Sequence, residues 1–447
     1  WFAFVNRIFT CSASSNENPN IGTVITARAP ARIDLAGGWS DTPPVCYENT
    51  GAVLNCSVTV DGKYPLLCSA RIITENIIIL DSIVDLEKDD EDGSKVIITD
   101  YNDFSDVAQP GASGALFKAC LLAMRTIELS PNSNSIQEQL QSRFQGGIEL
   151  ACVSNLPTGS GMGGSSILAA AIIRALAEIS GIQQNDSDIV YYVSLVEQIL
   201  TTGGGWQDQC GCLSGGFKLS KSTGKLPLEV SVKRIQLSQR FLKLFNRNTF
   251  LIYTGIPRLA RNTLINALRK HSMSPLDAKG DENTVRKLIK EAEKAALRLS
   301  SSSNQSDDDD DDDDDDQTEI NMKELKALGN TISNYWKLKT EMAPGSEPPH
   351  IHKLLNNLKK YSYGLSLCGA GAGGFAVIVI NPDSFQSIGK KKNEDCFQYL
   401  THIVKNLDSK LSVHRICVDM NGVNTEQDTE DVNKSLRSIL RQKQKSS

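Results

Sequence analysis

Ten residues of this 447-residue chain, Pro157-Thr158-Gly159-Ser160-Gly161-Met162-Gly163-Gly164-Ser165-Ser166, constrain its fold more than any others. Ahead of them Gly147 to Ser154 reads as a strand. Behind them Ile167, Leu168, Ala171, Ile172, Ala175, Leu176 and Ile179 recur at helical spacing until Gly181 stops the pattern. A strand must therefore pass into a helix through a glycine-rich loop. A plain tight turn is the simpler alternative, but four glycines and three serines in ten residues exceed what turning alone requires. At such a junction free backbone N–H groups and the positive end of the helix dipole favour phosphate. The GK[ST] ending of a Walker loop is absent, so no loop lysine reaches a terminal phosphate.

Composition narrows the field. The chain is long enough for two or three structural units, and its 40% apolar content suffices for a large core. Its net charge of −6 contains one run of ten aspartates, Asp307 to Asp316, so the remainder is slightly positive and the acidity is not spread over a working surface. No basic stripe interleaved with aromatics points to nucleic acid, and no apolar run approaches the length of a membrane span. Eleven cysteines without a CxxC pair suit reduced thiols and a cytoplasmic setting. His350 and His352 read as part of a polar turn rather than a metal site.

Along the chain the pattern is α+β. Strands are expected at Val24 to Ala27, Ala52 to Val60, within Arg71 to Val84, at Phe250 to Thr254 and at Phe375 to Ile380. Helices are expected over Gly111 to Leu129 and from the Asn185-Asp186-Ser187 capping cluster to about Thr202. Ser300 to Gln317 is too polar to repay its ordering entropy and is expected to be a disordered insertion between two helices, dispensable for activity. The chain starts at Trp1 rather than methionine, so Trp1 to Asn20 is expected to be a linker or the tail of a preceding domain. The lysine-rich end, 431–447, is expected to be flexible.

Two further glycine motifs accompany the first. Ala29 to Asp41 sets Arg32, Asp34 and Asp41 beside Gly37 and Gly38, which suits gripping a polyhydroxylated ligand, although a surface Arg32–Asp34 pair is the default for such a segment alone. Leu367 to Phe375 enters a strand with glycines so dense, Gly371 among them, that backbone must approach either a ligand or the first glycine loop.

Together these motifs resemble the three signatures of the GHMP kinase superfamily, and Pro157 to Ser166 is similar to that family's PxGxGLGSSA phosphate loop, with Met162 for leucine and Gly164 where a serine often stands. The resemblance implies a two-lobe fold: a ribosomal-protein-like N-terminal lobe over 21–230 and a ferredoxin-like C-terminal lobe over 231–430, with ATP between them. It implies that Pro157, Gly159, Ser160, Gly161, Met162, Gly163, Gly164, Ser165 and Ser166 bind ATP. Mg²⁺ is then held by Glu197 with Ser165 or Ser166, Ser165 being preferred by register from Gly161. Glu197 falls in an apolar stripe, where a carboxylate needs a cation, or a backbone or arginine donor. Asp208, in Gly203-Gly204-Gly205-Trp206-Gln207-Asp208-Gln209, matches the catalytic aspartate; as a residue alone it could also cap a loop end. Its implied role is to take or orient a hydroxyl proton while Arg32 steadies the moving phosphoryl group. Asp34, Gly37, Gly38, Asp41, Gly204, Gly205 and Gly371 are the implied substrate contacts.

Within the superfamily, Asp34 to Pro44, Gly203 to Gln209 and Tyr253 to Leu264 resemble segments of fucokinases. That implies transfer from ATP to the anomeric hydroxyl of L-fucose in the salvage route to GDP-fucose, with a nucleotidyltransferase-like region ahead of the kinase. Heptose kinases of the same superfamily, and a non-catalytic sugar and ATP sensor on the same fold, are the competing expectations.

Overall fold

A computed structural model describes residues 21–83, 95–130, 132–257, 283–302, 315–386 and 396–428. Trp1 to Asn20, the centre of the acidic insertion, the Arg258 to Leu264 part of the third fucokinase-like segment and the C-terminal tail lie outside the described residues.

Two sheets organise the chain. The first contains β1 (Val24–Ala29), β4 (Leu66–Ile73), β5 (Ile78–Ile83), β6 (Val96–Ile98), β7 (Gly147–Ser154) and β14 (Asn424–Asp428), in the order β14-β1-β4-β7-β5-β6. All its pairs are antiparallel except β5 with β7. The second joins β3 (Ala52–Val60), β8 (Phe217–Ser222), β9 (Val230–Ile235), β10 (Thr249–Tyr253), β11 (Ser362–Leu367), β12 (Phe375–Ile380) and β13 (Ser412–Val418) in the order β11-β12-β10-β13-β3-β8-β9, with β2 (Ala31–Ala36) paired to β3. The three-residue register Ile416↔Val60 to Val418↔Val58 ties the two halves of the sequence into one sheet.

Helices cover these sheets: α1 (Val45–Glu48), α2 (Ala115–Ala123), α3 (Ile136–Phe144), α4 (Gly164–Ile179), α5 (Asp186–Ile199), α6 (Gln207–Leu213), α7 (Gln239–Asn248), α8 (Thr284–Ser302), α9 (Asp315–Met342), α10 (Pro349–Lys359), α11 (Asp383–Gln386) and α12 (Cys396–Leu407). Helix α4 is apolar nearly all round and lies in the core against β4 and β1, as such a helix must. Asn185 starts α5 through a capping box with Asp188. Helices α8 and α9 pack on each other and both reach β2.

Three expectations need adjusting. Helix α2 is shorter than Gly111 to Leu129, because Gly114 takes a left-handed φ of 70° at its start and Arg125 a φ of 54° just past its end. The acidic insertion is narrower than Ser300 to Gln317: Ser300 to Ser302 finish α8 and Asp315 opens α9, so helix propagates into both ends of the run. Within Arg71 to Val84 the chain forms two strands, β4 ending at Ile73 and β5 starting at Ile78. No disulfide joins the ten described cysteines, and no helix among the described residues is long and apolar enough to cross a membrane.

Candidate active site

Strand β7 delivers the glycine loop to the start of α4, whose N-cap is Gly163 at φ 77°, without a side-chain cap on the helix N–H groups. Those donors need an acceptor from elsewhere. Met162 is buried in the core. Ser160 is buried, and its carbonyl accepts the N–H of Phe375 at 2.8 Å. The third glycine motif therefore folds onto the first: a Cβ at Gly374 would collide with the Ser160 carbonyl. Gly371, in the same motif, packs against Ser346.

Strand β2 and helix α6 bring Arg32 and Asp208 together. Arg32 is 2% exposed; its Nε donates to Asp208 Oδ1 at 2.8 Å, its Nη2 meets the same oxygen at 2.5 Å, and its Nη1 donates to the Gly161 carbonyl at 2.9 Å. One guanidinium thus joins the glycine loop to the aspartate. Burial alone would lower the Arg32 pKa, but Asp208 and Asp34 outweigh it and raise it, so the cation is permanent. Gly163 presses on the same aspartate: a Cβ there would stand 2.7 Å from the Asp208 carboxyl carbon. Asp208 keeps 22% of its side chain exposed, at the open side of this arrangement.

Asp41 is completely buried beside them. Its Oδ1 accepts from the Trp39 N–H at 3.1 Å and its Oδ2 from the Gln207 N–H at 3.3 Å. Burial, then the nearby Asp208 charge, pushes the Asp41 carboxyl up to about 7. Gly205 backs directly onto this carboxyl, and Gly38 faces the Tyr335 hydroxyl, Asp34 and Gln207. Gln207 Oε1 and Trp39 Nε1 are buried polar atoms without a hydrogen-bond partner. Trp39 also holds a φ of 79°, rare for so bulky a residue.

Asp34 has another occupation. Tyr335 Oη donates to its Oδ2 at 2.7 Å, Lys339 Nζ to the same oxygen at 2.9 Å, and the Gly369 N–H to its Oδ1 at 3.0 Å. Burial would raise its pKa, yet Lys339 and Arg32 overcome that and lower it. Asp34 thereby ties the Ala29–Asp41 motif to the Leu367–Phe375 motif and to α9. Gly37 packs against the Ala52 backbone in support of the same turn. Tyr335 and Lys339 are absent from the sequence-derived site. Their signal was a lysine continuing the apolar stripe Leu325, Leu328, Ile332, Tyr335 at helical spacing.

Glu197 of α5 is 5% exposed, and burial raises its pKa. Its Oε1 accepts from Ser166 Oγ at 2.6 Å and its Oε2 from the Thr202 hydroxyl, with Gly204 packed close by. Ser166, rather than the Ser165 favoured by register, carries the hydroxyl against Glu197; Ser165 is exposed. A carboxylate and a hydroxyl at the foot of the glycine loop are hard oxygen donors, and this set fits Mg²⁺. Pro157, Gly159 and Gly164 complete the loop, Gly164 with open space where a side chain would project.

Residues 118–216, which contain the glycine loop, Glu197 and Asp208, match the family model "GHMP kinases N terminal domain". A bifunctional fucokinase/GDP-fucose pyrophosphorylase of Arabidopsis thaliana is 28% identical over 350 residues, covering 78% of this chain and 29% of that protein. An L-fucokinase/L-fucose-1-P guanylyltransferase of Bacteroides fragilis is 28% identical over 361 residues, covering 80% of this chain and 34% of that protein. The chain thus spans about a third of the length of these two relatives. A D-glycero-alpha-D-manno-heptose 7-phosphate kinase of Campylobacter jejuni is 25% identical, covering 80% of this chain and 90% of that protein. Among solved structures, Lactococcus lactis galactokinase complexed with galactose superposes with a TM-score of 0.57 at 15% identity, covering 95% of this chain and 99% of that one. Residues 118–216 thus match a GHMP kinase N-terminal domain, and the chain shares the fold of this galactokinase.

Proposed function

We propose that the chain is an ATP-dependent sugar kinase that phosphorylates the anomeric hydroxyl of L-fucose, giving L-fucose 1-phosphate and ADP. The observation that carries this reading is the Arg32 bridge: one buried guanidinium bonds both the phosphate-loop carbonyl of Gly161 and the carboxylate of Asp208. Phosphate donor and hydroxyl acceptor are thereby held at one charge-neutral centre. The uncapped N–H groups at the start of α4 bind the ATP phosphates. Asp208 accepts the hydrogen bond of the attacking hydroxyl, orients its oxygen in line, and takes the proton as the bond to phosphorus forms. Arg32 balances charge spreading over the transferring phosphoryl oxygens. Asp41 and Gln207 meet other sugar hydroxyls. Mg²⁺, held by Glu197 and Ser166 at the foot of the loop, would neutralise phosphate charge when bound.

Fucose as the substrate is supported by the two fucokinase relatives, and the reading extends to a nucleotidyltransferase-like region in the same polypeptide, as both their names suggest. A heptose phosphate is the second reading, favoured by the relative of which the chain spans 90%. The discriminating experiment is coupled ADP release with ATP and Mg²⁺ across free L-fucose, D-galactose, D-mannose and a heptose 7-phosphate. Turnover highest on L-fucose supports the proposal. Turnover on the heptose phosphate alone replaces it with the second reading, and no turnover on any sugar removes both.

A further inference from the structure

Beneath α6 lies a lysine that the chemistry above does not use. Lys218 of β8 is 0% exposed. Its Nζ donates to the Gly211 carbonyl at 2.7 Å, to the Ser214 carbonyl and to the Ser57 hydroxyl, all neutral acceptors. Ser57 Oγ in turn donates to the same Gly211 carbonyl at 2.7 Å. These are carbonyls at the C-terminal end of the helix whose first turn carries Asp208, where a cation complements the helix dipole. Gly211 also abuts the stem of Arg32, since a Cβ on it would lie 2.8 Å from Arg32 Cβ. A single buried ammonium therefore fixes the far end of the Asp208 helix and the wall against which Arg32 rests.

Resting on the sugar-kinase reading, we infer that Lys218 is a positioning residue that, as a cation, sets the register of α6 and so the Arg32–Asp208 geometry. An apolar side chain of similar length would fill the space but leave these carbonyls unsatisfied, at a cost to the placement of Asp208. The charge is also sensitive to pH. Burial pulls the Lys218 pKa down to about 8, against Cys56 of β3, Cys212 of α6 and Asp419, which raise it; Arg234 of β9 lowers it further. The cap is charged below that value and loses its charge as pH rises through it.

The test compares wild type with Lys218→Met and Lys218→Arg over about pH 6.5 to 9.5, reading kcat and KM and the hydrogen exchange of 207–213 in the ligand-free protein. Lys218→Met is expected to lower kcat on the order of 100-fold with KM for ATP little changed. Lys218→Arg is expected to restore kcat to within about fivefold and to abolish the wild-type alkaline loss near pH 8, because arginine does not titrate there. Wild-type kcat in Lys218→Met, or an alkaline loss unchanged in Lys218→Arg, would overturn the inference. If Lys218→Met does not fold, Ser57→Ala takes its place, with kcat lower by about tenfold expected and an unchanged kcat overturning the inference. If wild type phosphorylates no sugar, the kinase reading fails by itself, and exchange then decides. Faster exchange confined to 207–213 in the folded variant supports the role of Lys218, and unchanged exchange refutes it.

Discussion

Lys339 holds Asp34 from 2.9 Å with both side chains buried, so a helix more than three hundred residues downstream anchors the Ala29–Asp41 glycine motif. The Tyr335 hydroxyl, one turn earlier on α9, shares the same carboxylate oxygen. Removing one partner from a buried pair strands the other. Lys339→Met is therefore expected to destabilise the fold by about 3–5 kcal/mol, measurable by urea unfolding. The lowered Asp34 pKa gives the sign of the pH effect. Its contribution is complete above the unfolded aspartate value and disappears as pH falls through the folded one. Acid unfolding should be correspondingly shallower in Asp34→Asn, and equal acid sensitivity of the two proteins would contradict this account.

Asp41 works in the opposite sense. Its folded pKa of about 7 lies above the ordinary 3.8, so its stability contribution is complete below 3.8 and is lost as pH rises toward 7. On the proposed reading Asp41 accepts from a sugar hydroxyl in its ionised form, so kcat/KM for the sugar is expected to rise through pH 7. Asp41→Asn should lack that rise and bind sugar more weakly. A pH profile that keeps the rise in the variant assigns it to another group.

Asp208→Asn preserves shape and removes the charge that Arg32 faces. Turnover is expected to fall on the order of 10²-fold or more while calorimetric sugar affinity changes little. Wild-type turnover in this variant would mean that Asp208 serves only as the partner of Arg32, and that the proposed catalytic role is wrong.

Much of this site was legible in the sequence, because its glycine motifs each occupy a short contiguous segment. Pro157 to Ser166 announced a glycine-rich strand-to-helix loop, and β7 runs over the expected Gly147–Ser154. The third motif was left between a ligand and the first loop, and the Phe375 to Ser160 bond shows the contact with the loop. The contacts that cross long separations were not legible. Nothing local to Lys339 states that its partner is Asp34, and nothing local to Lys218 states that it ends the helix of Asp208. Register from Gly161 does not say which loop serine bonds to Glu197, and the structure shows that Ser166 does.

Glu197→Gln keeps the Ser166 and Thr202 hydrogen bonds within reach but supplies no charge to a cation. The Mg²⁺ concentration for half-maximal turnover is expected to rise on the order of 10-fold or more, with EDTA abolishing wild-type activity. An unchanged Mg²⁺ dependence would show that the cation is held without Glu197.

The most direct measurement is a crystal structure with a non-hydrolysable ATP analogue, Mg²⁺ and L-fucose. The account predicts phosphate oxygens on the N–H groups of Gly161, Gly163 and the first turn of α4, with the γ-phosphoryl group between Arg32 and a sugar oxygen bonded to Asp208. Phosphates bound away from this loop, or a sugar seated out of reach of Asp208, would contradict it.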